Sequence, residues 1–122
     1  MGKKRILFID NRPDHLGQPV LRLRVAGYEV DAAETGRDGL EALRSGAYDL
    51  LILDAELPQE NGWDVLRKVR QDQDLKDLKV IVFMAPHGET GKLALVPVDA
   101  ELRRPFSLGT LLEAVQKVIG EP

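Results

Sequence analysis

Two aspartates follow short apolar runs, and they are the residues of this chain best suited to chemistry. Asp10 comes directly after the apolar residues 6–9, and Asp54 comes directly after the apolar residues 50–53. If the two runs form neighbouring parallel strands, both carboxylates lie at the same edge of the sheet, within a few ångströms of each other. Carboxylates that close repel each other unless a cation or a shared proton intervenes. The pair therefore indicates a site for a hard divalent cation.

A simpler interpretation of each aspartate is structural. Aspartate commonly ends a strand and caps the helix that follows, and neither role needs a ligand. For one aspartate alone, this structural interpretation is preferred. Two aspartates in equivalent positions after buried strands reverse that preference and favour a functional site.

Five stretches of the sequence have the character of strands. Residues 6–9, 50–53 and 80–84 are apolar without alternation, which is typical of strands buried on both faces. Residues 28–32 and 98–102 alternate between polar and apolar side chains, so one face of each would meet solvent. These two stretches are predicted to be the edges of the sheet.

Helical patterns separate the strands. The clearest covers residues 108–119, where apolar residues recur at helical spacing after Ser107, a candidate helix cap. Shorter amphipathic helices are predicted around residues 40–43 and 65–69. Strands and helices therefore alternate, which predicts an α/β fold with a parallel sheet and helices on both faces, in a single domain over residues 1–122.

Two helices are harder to predict. The first should run from about residue 14 to residue 26, yet Gly17 and Pro19 fall inside it, so we expect a kink or a late start. Between residues 86 and 97, two glycines and a closing proline predict a fourth helix that is short or irregular.

Composition excludes several classes of protein. The 122 residues contain 20 acidic and 17 basic side chains, a net charge of −3, so attraction to nucleic acid or anionic lipid is not expected. The absence of cysteine excludes disulfides and thiolate chemistry, and two histidines, His15 and His87, cannot form a multi-histidine zinc site. The apolar runs are too short to span a membrane, and we expect a soluble, cytoplasmic protein.

Three blocks of the sequence resemble those of a response-regulator receiver domain, and the resemblance covers almost the whole chain. Residues 48–54 and the loop that follows, with Pro58 and Gly62 four and eight positions after Asp54, resemble the phosphoacceptor strand and loop of that family. Residues 6–11 resemble its acidic strand, and residues 104–106 resemble its Lys-Pro-Phe turn. The resemblance implies a flavodoxin-like, doubly wound, five-stranded sheet with strand order 2-1-3-4-5.

The resemblance also implies a chemistry. Asp54 would take a phosphoryl group from a phosphohistidine on a sensor histidine kinase or phosphotransfer protein, assisted by Arg104. Mg²⁺ would be held by Asp10, Asn11, Asp54 and the backbone carbonyl of Glu56. No enzymatic activity is expected beyond this phosphotransfer to the protein itself and autodephosphorylation.

Four positions depart from the family pattern, and all lie at the site or on its output path: Asn11, Met84, Glu101 and Arg104. Asn11 replaces a second acid, so Mg²⁺ affinity should be weak without the phosphoryl group. Met84 replaces a serine or threonine, and its thioether cannot donate a hydrogen bond to a phosphoryl oxygen. Glu101 replaces an aromatic residue that turns inward on activation, whereas Arg104 replaces lysine and keeps the charge.

Three functions fit this sequence. The first is a receiver that signals to a protein partner through the region from the fourth strand to the last helix, with non-standard switch coupling and no direct contact with nucleic acid or membrane. The second is a pseudo-receiver that binds its partner without phosphorylation. The third is a small flavodoxin-like enzyme with an acidic metal site. Homodimerisation through the last helix is compatible with either of the first two.

Overall fold

A computed structural model of the chain describes residues 2–10, 12–57, 60–86 and 96–122. In these ranges, strands and helices alternate through most of the chain. The strands are β1 (Arg5–Ile9), β2 (Glu29–Ala33), β3 (Leu50–Asp54), β4 (Lys79–Met84) and β5 (Ala100–Arg103). The helices are α1 (Pro13–Ala26), α2 (Gly36–Ser45), α3 (Gly62–Gln71) and α4 (Leu108–Ile119).

The five strands form one parallel sheet in the order β2-β1-β3-β4-β5. This order confirms the doubly wound, flavodoxin-like arrangement, and it places the two alternating strands, β2 and β5, at the edges. The three central strands are almost fully buried because they are covered on both faces.

Strand side chains alternate between two apolar clusters, one on each face of the sheet. On one face, Leu7, Leu51 and Val82 belong to a cluster with residues of α2 and α3. On the other face, Phe8 and Ile52 belong to a cluster with residues of α1 and α4. Helices therefore cover both faces, and the core lies in two layers above and below β1, β3 and β4.

Helix ends follow the expected capping chemistry. Thr35, Asn61 and Ser107 each accept a hydrogen bond from a backbone N–H in the first turn of α2, α3 and α4. Gly27 closes α1 in the left-handed conformation, at φ 113°. None of the four described helices has the length and apolar character that crossing a bilayer requires.

Helix α1 corrects one expectation. It begins at Pro13 rather than late, and Pro19 lies inside it. Pro13 occupies the first turn, where a missing N–H costs nothing. Leu23 is fully buried beneath the helix and Val20 packs beside it, so packing outweighs the roughly 3 kcal/mol that an interior proline costs. The predicted fourth helix falls mainly on residues 87–95, outside the described residues.

Candidate functional site

The sheet brings Asp10 and Asp54 together. β1 and β3 are parallel neighbours, and Ile9 pairs with Leu53 in their register. The next residue of each strand therefore projects at the same carboxyl edge of the sheet. Both aspartates are 1 % exposed. Among the described residues, no other charged side chain is buried. The burial of these two carboxylates follows from their positions at the ends of central strands.

One oxygen of each carboxylate is fixed by the backbone two residues later. Asp10 Oδ1 accepts a hydrogen bond of 3.0 Å from the Arg12 N–H. Asp54 Oδ1 accepts one of 2.8 Å from the Glu56 N–H. The same hydrogen bond from backbone to carboxylate therefore recurs at both strand ends.

Arg104 lies between these two carboxylates. Its Nη2 is 3.6 Å from Asp10 Oδ2 and 3.6 Å from Asp54 Oδ2. The residue follows β5, and its backbone N–H donates to the Met84 carbonyl at 2.9 Å. Its guanidinium carbon lies over the Phe83 ring, 5.5 Å from the ring centre, and this cation–π contact stabilises the cation. The peptide bond from Arg104 to Pro105 is cis.

Charged side chains are concentrated at this site. Among the described residues, two buried carboxylates lie beside one guanidinium, which is 22 % exposed. Within the described part of the chain, no group donates a hydrogen bond to the buried Asp54 Oδ2. A buried carboxylate oxygen without such a donor carries a desolvation cost, which a bound cation or a covalent modification would relieve.

The donor chemistry at this edge fits Mg²⁺. Asp10 and Asp54 supply two carboxylates, and the backbone carbonyl of Glu56 is in the adjoining loop; Mg²⁺ commonly takes one or two carboxylates and completes its shell with water and phosphate. Asn11 lies outside the described residues, so its predicted role as a ligand stays a prediction. The described residues contain no group of three or more histidine, aspartate or glutamate side chains arranged to hold a metal.

Gly62 allows the loop after Asp54 to fold back against β3. A Cβ atom at this position would lie 2.4 Å from the Asp54 carbonyl oxygen and 2.7 Å from Ala55 Cα. The Gly62 N–H instead donates to the Ala55 carbonyl at 3.0 Å. Close backbone contact thus explains the glycine eight residues after Asp54. Its hydrogen bond fixes the first turn of α3 beside the site.

Met84 and Glu101 lie where their side chains offer no polar group to the carboxylates. Met84 is 1 % exposed and packs in the cluster shared with α2 and α3. Glu101 is exposed on the edge strand β5. The thioether occupies an apolar environment suited to it, and the carboxylate remains in solvent, where its charge costs little.

Sequence reasoning missed one contact at the site. Glu56 was assigned only a backbone role, yet its side-chain Oε1 accepts a hydrogen bond of 2.6 Å from the Ala85 N–H, just after β4. Nothing local in the sequence signals this contact. It depends on how far β4 extends beside β3, which is a property of the assembled sheet.

Comparisons with known proteins agree with the fold and the motifs. The family model for the response regulator receiver domain matches residues 6–116. The response regulator ArlR of Staphylococcus aureus is 31% identical over 117 residues, which cover 94% of this chain and 52% of that protein. The chain therefore spans about half the length of this curated relative.

Solved structures agree as well. A response regulator from Chloroflexus aurantiacus superposes with a TM-score of 0.89 at 27% identity, covering 98% of this chain and 100% of that one. The receiver domain of the sensor histidine kinase PA1611 from Pseudomonas aeruginosa, solved with a magnesium ion in its active site cleft, gives 0.88 at 22% identity and covers 98% and 100%. With its sheet order, its paired aspartates and this family match, the chain belongs to the response regulator receiver domains of two-component signalling.

Proposed function

We propose that this receiver domain accepts a phosphoryl group on Asp54 from the phosphohistidine of a sensor histidine kinase or a phosphotransfer protein. The observation that carries the proposal is the state of the Asp54 carboxylate. Oδ1 is held by the Glu56 N–H, while the buried Oδ2 lies 3.6 Å from Arg104 Nη2 and receives no hydrogen bond within the described residues. One oxygen is thus oriented and the other remains available as a nucleophile.

In the proposed step, Asp54 Oδ2 attacks phosphorus in line with the departing imidazole nitrogen. An O–P bond forms and the P–N bond breaks, and the electron pair of the broken bond stays on the ring nitrogen. The leaving group is neutral imidazole when the other ring nitrogen of the phosphohistidine carries a proton. Arg104, which already lies beside Oδ2, can then pair with an oxygen of the transferred group. The chain contributes mainly positioning and charge, which is what phosphoryl transfer requires.

Asp10, Asp54 and the Glu56 carbonyl would hold Mg²⁺ at this site, with Asn11 as a predicted further ligand. When bound, Mg²⁺ neutralises charge on the oxygens of the moving phosphoryl group. The related Pseudomonas aeruginosa domain has a magnesium ion coordinated in its active site cleft, which supports the assignment.

The test is a phosphorylation assay with a small phosphodonor in Mg²⁺, followed by intact mass. The expected product is about 80 Da heavier, the mass of one phosphoryl group. Asp54→Asn keeps the shape of the side chain but removes the nucleophile, so this variant should stay at its original mass. A wild-type protein that folds but gains no mass, from either the donor or a kinase, would overturn the proposal.

A second candidate is a pseudo-receiver that binds a partner in one fixed conformation. The observations in its favour are the buried thioether of Met84 and the exposed carboxylate of Glu101, which leave the usual pair of switch side chains absent. The same assay separates the two functions. A folded wild-type protein that gains no mass would favour the pseudo-receiver, whereas an adduct that Asp54→Asn abolishes would favour the phosphoacceptor.

The remaining parts of the proposal concern protein partners and cellular location. We propose that a downstream protein contacts the face from β4 to α4, and that the chain turns over no external substrate. The groove between β5 and α4 has a volume of about 450 Å³ and carries charged residues of both signs, including Glu101 and Lys117, which suits a polar partner surface. A cytoplasmic location, homodimerisation through α4 and the absence of nucleic-acid contacts stay predictions.

A further inference from the structure

Glu56 connects the phosphoacceptor to the end of the neighbouring strand. Its backbone N–H donates to Asp54 Oδ1 at 2.8 Å, and its side-chain Oε1 accepts from the Ala85 N–H at 2.6 Å. One residue therefore holds the acceptor carboxylate through its backbone and the segment after β4 through its side chain.

The Ala85 amide lies where strand pairing has ended. Asp54 is opposite Phe83 in the β3–β4 register, and the Phe83 carbonyl accepts the Ala55 N–H at 2.9 Å. On the other side of β4, the Met84 carbonyl accepts the Arg104 N–H at 2.9 Å. The next N–H, that of Ala85, is bound by the carboxylate of Glu56.

A backbone N–H at the carboxyl edge of a parallel sheet, beside a carboxylate and a guanidinium, is a suitable donor for an oxyanion. A carboxylate now accepts that hydrogen bond. Glu56 is exposed, so its side chain can leave for solvent without breaking any described core contact. Another anion could therefore replace the Glu56 carboxylate as the acceptor of the Ala85 N–H.

We propose that the carboxylate of Glu56 is an internal competitor of the phosphoryl group on Asp54. It holds the Ala85 N–H in the unmodified protein, and it must leave when an oxygen of the phosphoryl group takes that donor. This inference rests on the proposed phosphoacceptor function. Two anions cannot share one short hydrogen bond, and their charges repel in this already acidic site.

Displacement of Glu56 also provides a link to the segment after β4. Met84 has no hydroxyl that could donate a hydrogen bond to the phosphoryl group. Glu56 instead connects the loop after Asp54 to the Ala85 N–H. Arg103 holds the same segment through a hydrogen bond of 3.0 Å from Nη1 to the Pro86 carbonyl. When Glu56 leaves, one of these two side-chain ties is lost, and residues 84–86 gain freedom to move.

The direct test is binding of beryllofluoride, a phosphoryl mimic, measured by ¹⁹F NMR at a Mg²⁺ concentration that saturates each variant. We expect Glu56→Ala to bind about tenfold more tightly than wild type, since it loses both the competing acceptor and its charge. Glu56→Gln should fall between the two, because its amide oxygen can still accept from Ala85 but carries no charge. Glu41→Gln and Glu41→Ala, on the exposed face of α2, make the same charge changes elsewhere and should bind as wild type does.

A second measurement follows the Ala85 amide itself, by ¹H–¹⁵N chemical shift and hydrogen exchange without beryllofluoride. Glu56→Ala should shift this resonance and speed its exchange, whereas the Glu41 variants should leave it unchanged.

The outcomes distinguish this inference from the function on which it rests. Wild-type affinity or weaker binding in Glu56→Ala, with binding still abolished by Asp54→Ala, would overturn the competitor and leave the phosphoacceptor intact. An Ala85 amide that does not respond to Glu56→Ala would overturn it as well. Failure of every variant, wild type included, to bind beryllofluoride would overturn the phosphoacceptor function and the inference with it.

Discussion

The Arg104 guanidinium lies 3.6 Å from Asp54 Oδ2 and is a counter-cation for this buried carboxylate. The same Nη2 atom is equally distant from Asp10 Oδ2, so one permanently charged group partly neutralises both carboxylates. The proposed Mg²⁺ would therefore compete at this site with a cation that the chain itself supplies.

Removing this guanidinium should strengthen Mg²⁺ binding. We expect Arg104→Ala to raise Mg²⁺ affinity by roughly tenfold, since a positive charge close to the metal ligands is removed and solvent screening limits the gain. The same variant should unfold at a lower temperature in EDTA, because two buried carboxylates lose their partner, and Mg²⁺ should restore much of that stability. Calorimetric titration and thermal melts measure both effects.

Arg104→Lys is the matched control, because it keeps the charge while removing the planar fork. It should change Mg²⁺ affinity far less than Arg104→Ala does. Equal Mg²⁺ affinity in wild type and Arg104→Ala would show that the guanidinium does not compete with the metal.

Gly62→Ala should damage both the stability and the site. The added Cβ would meet the Asp54 carbonyl oxygen at 2.4 Å and Ala55 Cα at 2.7 Å, and backbone atoms cannot turn away as a side chain can. We expect a loss of about 1–3 kcal/mol in the free energy of unfolding, measured by urea denaturation, and slower phosphorylation of Asp54.

Gly17→Ala provides the contrast for that prediction. Gly17 lies in α1, and among the described residues an added Cβ would meet no atom within 4 Å beyond its chain neighbours and the adjacent helix backbone. Alanine should therefore stabilise the protein by up to about 1 kcal/mol through helix propensity. A Gly62→Ala protein as stable as wild type would mean that the loop after β3 can adopt a second path.

The hydrogen bonds that the Asp72 carboxylate accepts should contribute stability that is lost in acid. The backbone N–H of Asp74, at 2.8 Å, and the Arg44 side chain, at 3.2 Å, hold the pKa of Asp72 below its ordinary value. A carboxyl with a lowered folded-state pKa stabilises the protein above its unfolded pKa of about 3.9, and this stability is lost as the pH falls through the folded value. Asp72→Asn should therefore be less stable than wild type at pH 7, with a difference that shrinks below pH of about 4.

Urea unfolding at several pH values measures this difference, and a double-mutant cycle with Arg44→Ala isolates the ion pair. The coupling energy between the two positions should vanish in acid together with the stability difference. A difference between Asp72→Asn and wild type that is the same at every pH would contradict the role of the charge.

Sequence patterns predict the part of the site that strand ends determine. Asp10 and Asp54 follow apolar runs whose pairing in a parallel sheet leaves them adjacent, and Arg104 follows the edge strand on the same side. Each position depends only on where a strand ends and on the strand order, so hydrophobic patterning together with family resemblance is sufficient.

Side-chain contacts between loops could not be predicted in this way. The hydrogen bond from Ala85 to Glu56 depends on the rotamer of an exposed glutamate and on the length of a neighbouring strand. The first helix shows the same limit, since local propensity at Pro19 argues against a continuous helix, but burial of Leu23 decides the outcome. Tertiary packing overrides local preference at both places.

Met84→Thr tests whether the side chain at the end of β4 can reach the phosphoryl group. Met84 is 1 % exposed in an apolar cluster, so threonine should cost about 1–3 kcal/mol of stability through lost apolar contact and a buried hydroxyl. If the hydroxyl reaches a phosphoryl oxygen, beryllofluoride should bind about tenfold more tightly, because a hydrogen bond to a charged group contributes about 1.5–3 kcal/mol.

Met84→Val separates these two effects, since valine has nearly the shape of threonine without its hydroxyl. Both variants lose similar packing, so any difference in their ¹⁹F-detected affinity for beryllofluoride reports the hydroxyl alone. We expect threonine to bind more tightly than valine, with valine close to wild type. Equal affinity in the two variants would mean that this side chain stays in the layer between the sheet and α2 and α3, where Met84 packs now. Coupling to the segment after β4 would then have to pass through backbone groups and the Glu56 carboxylate, which already contacts the Ala85 amide.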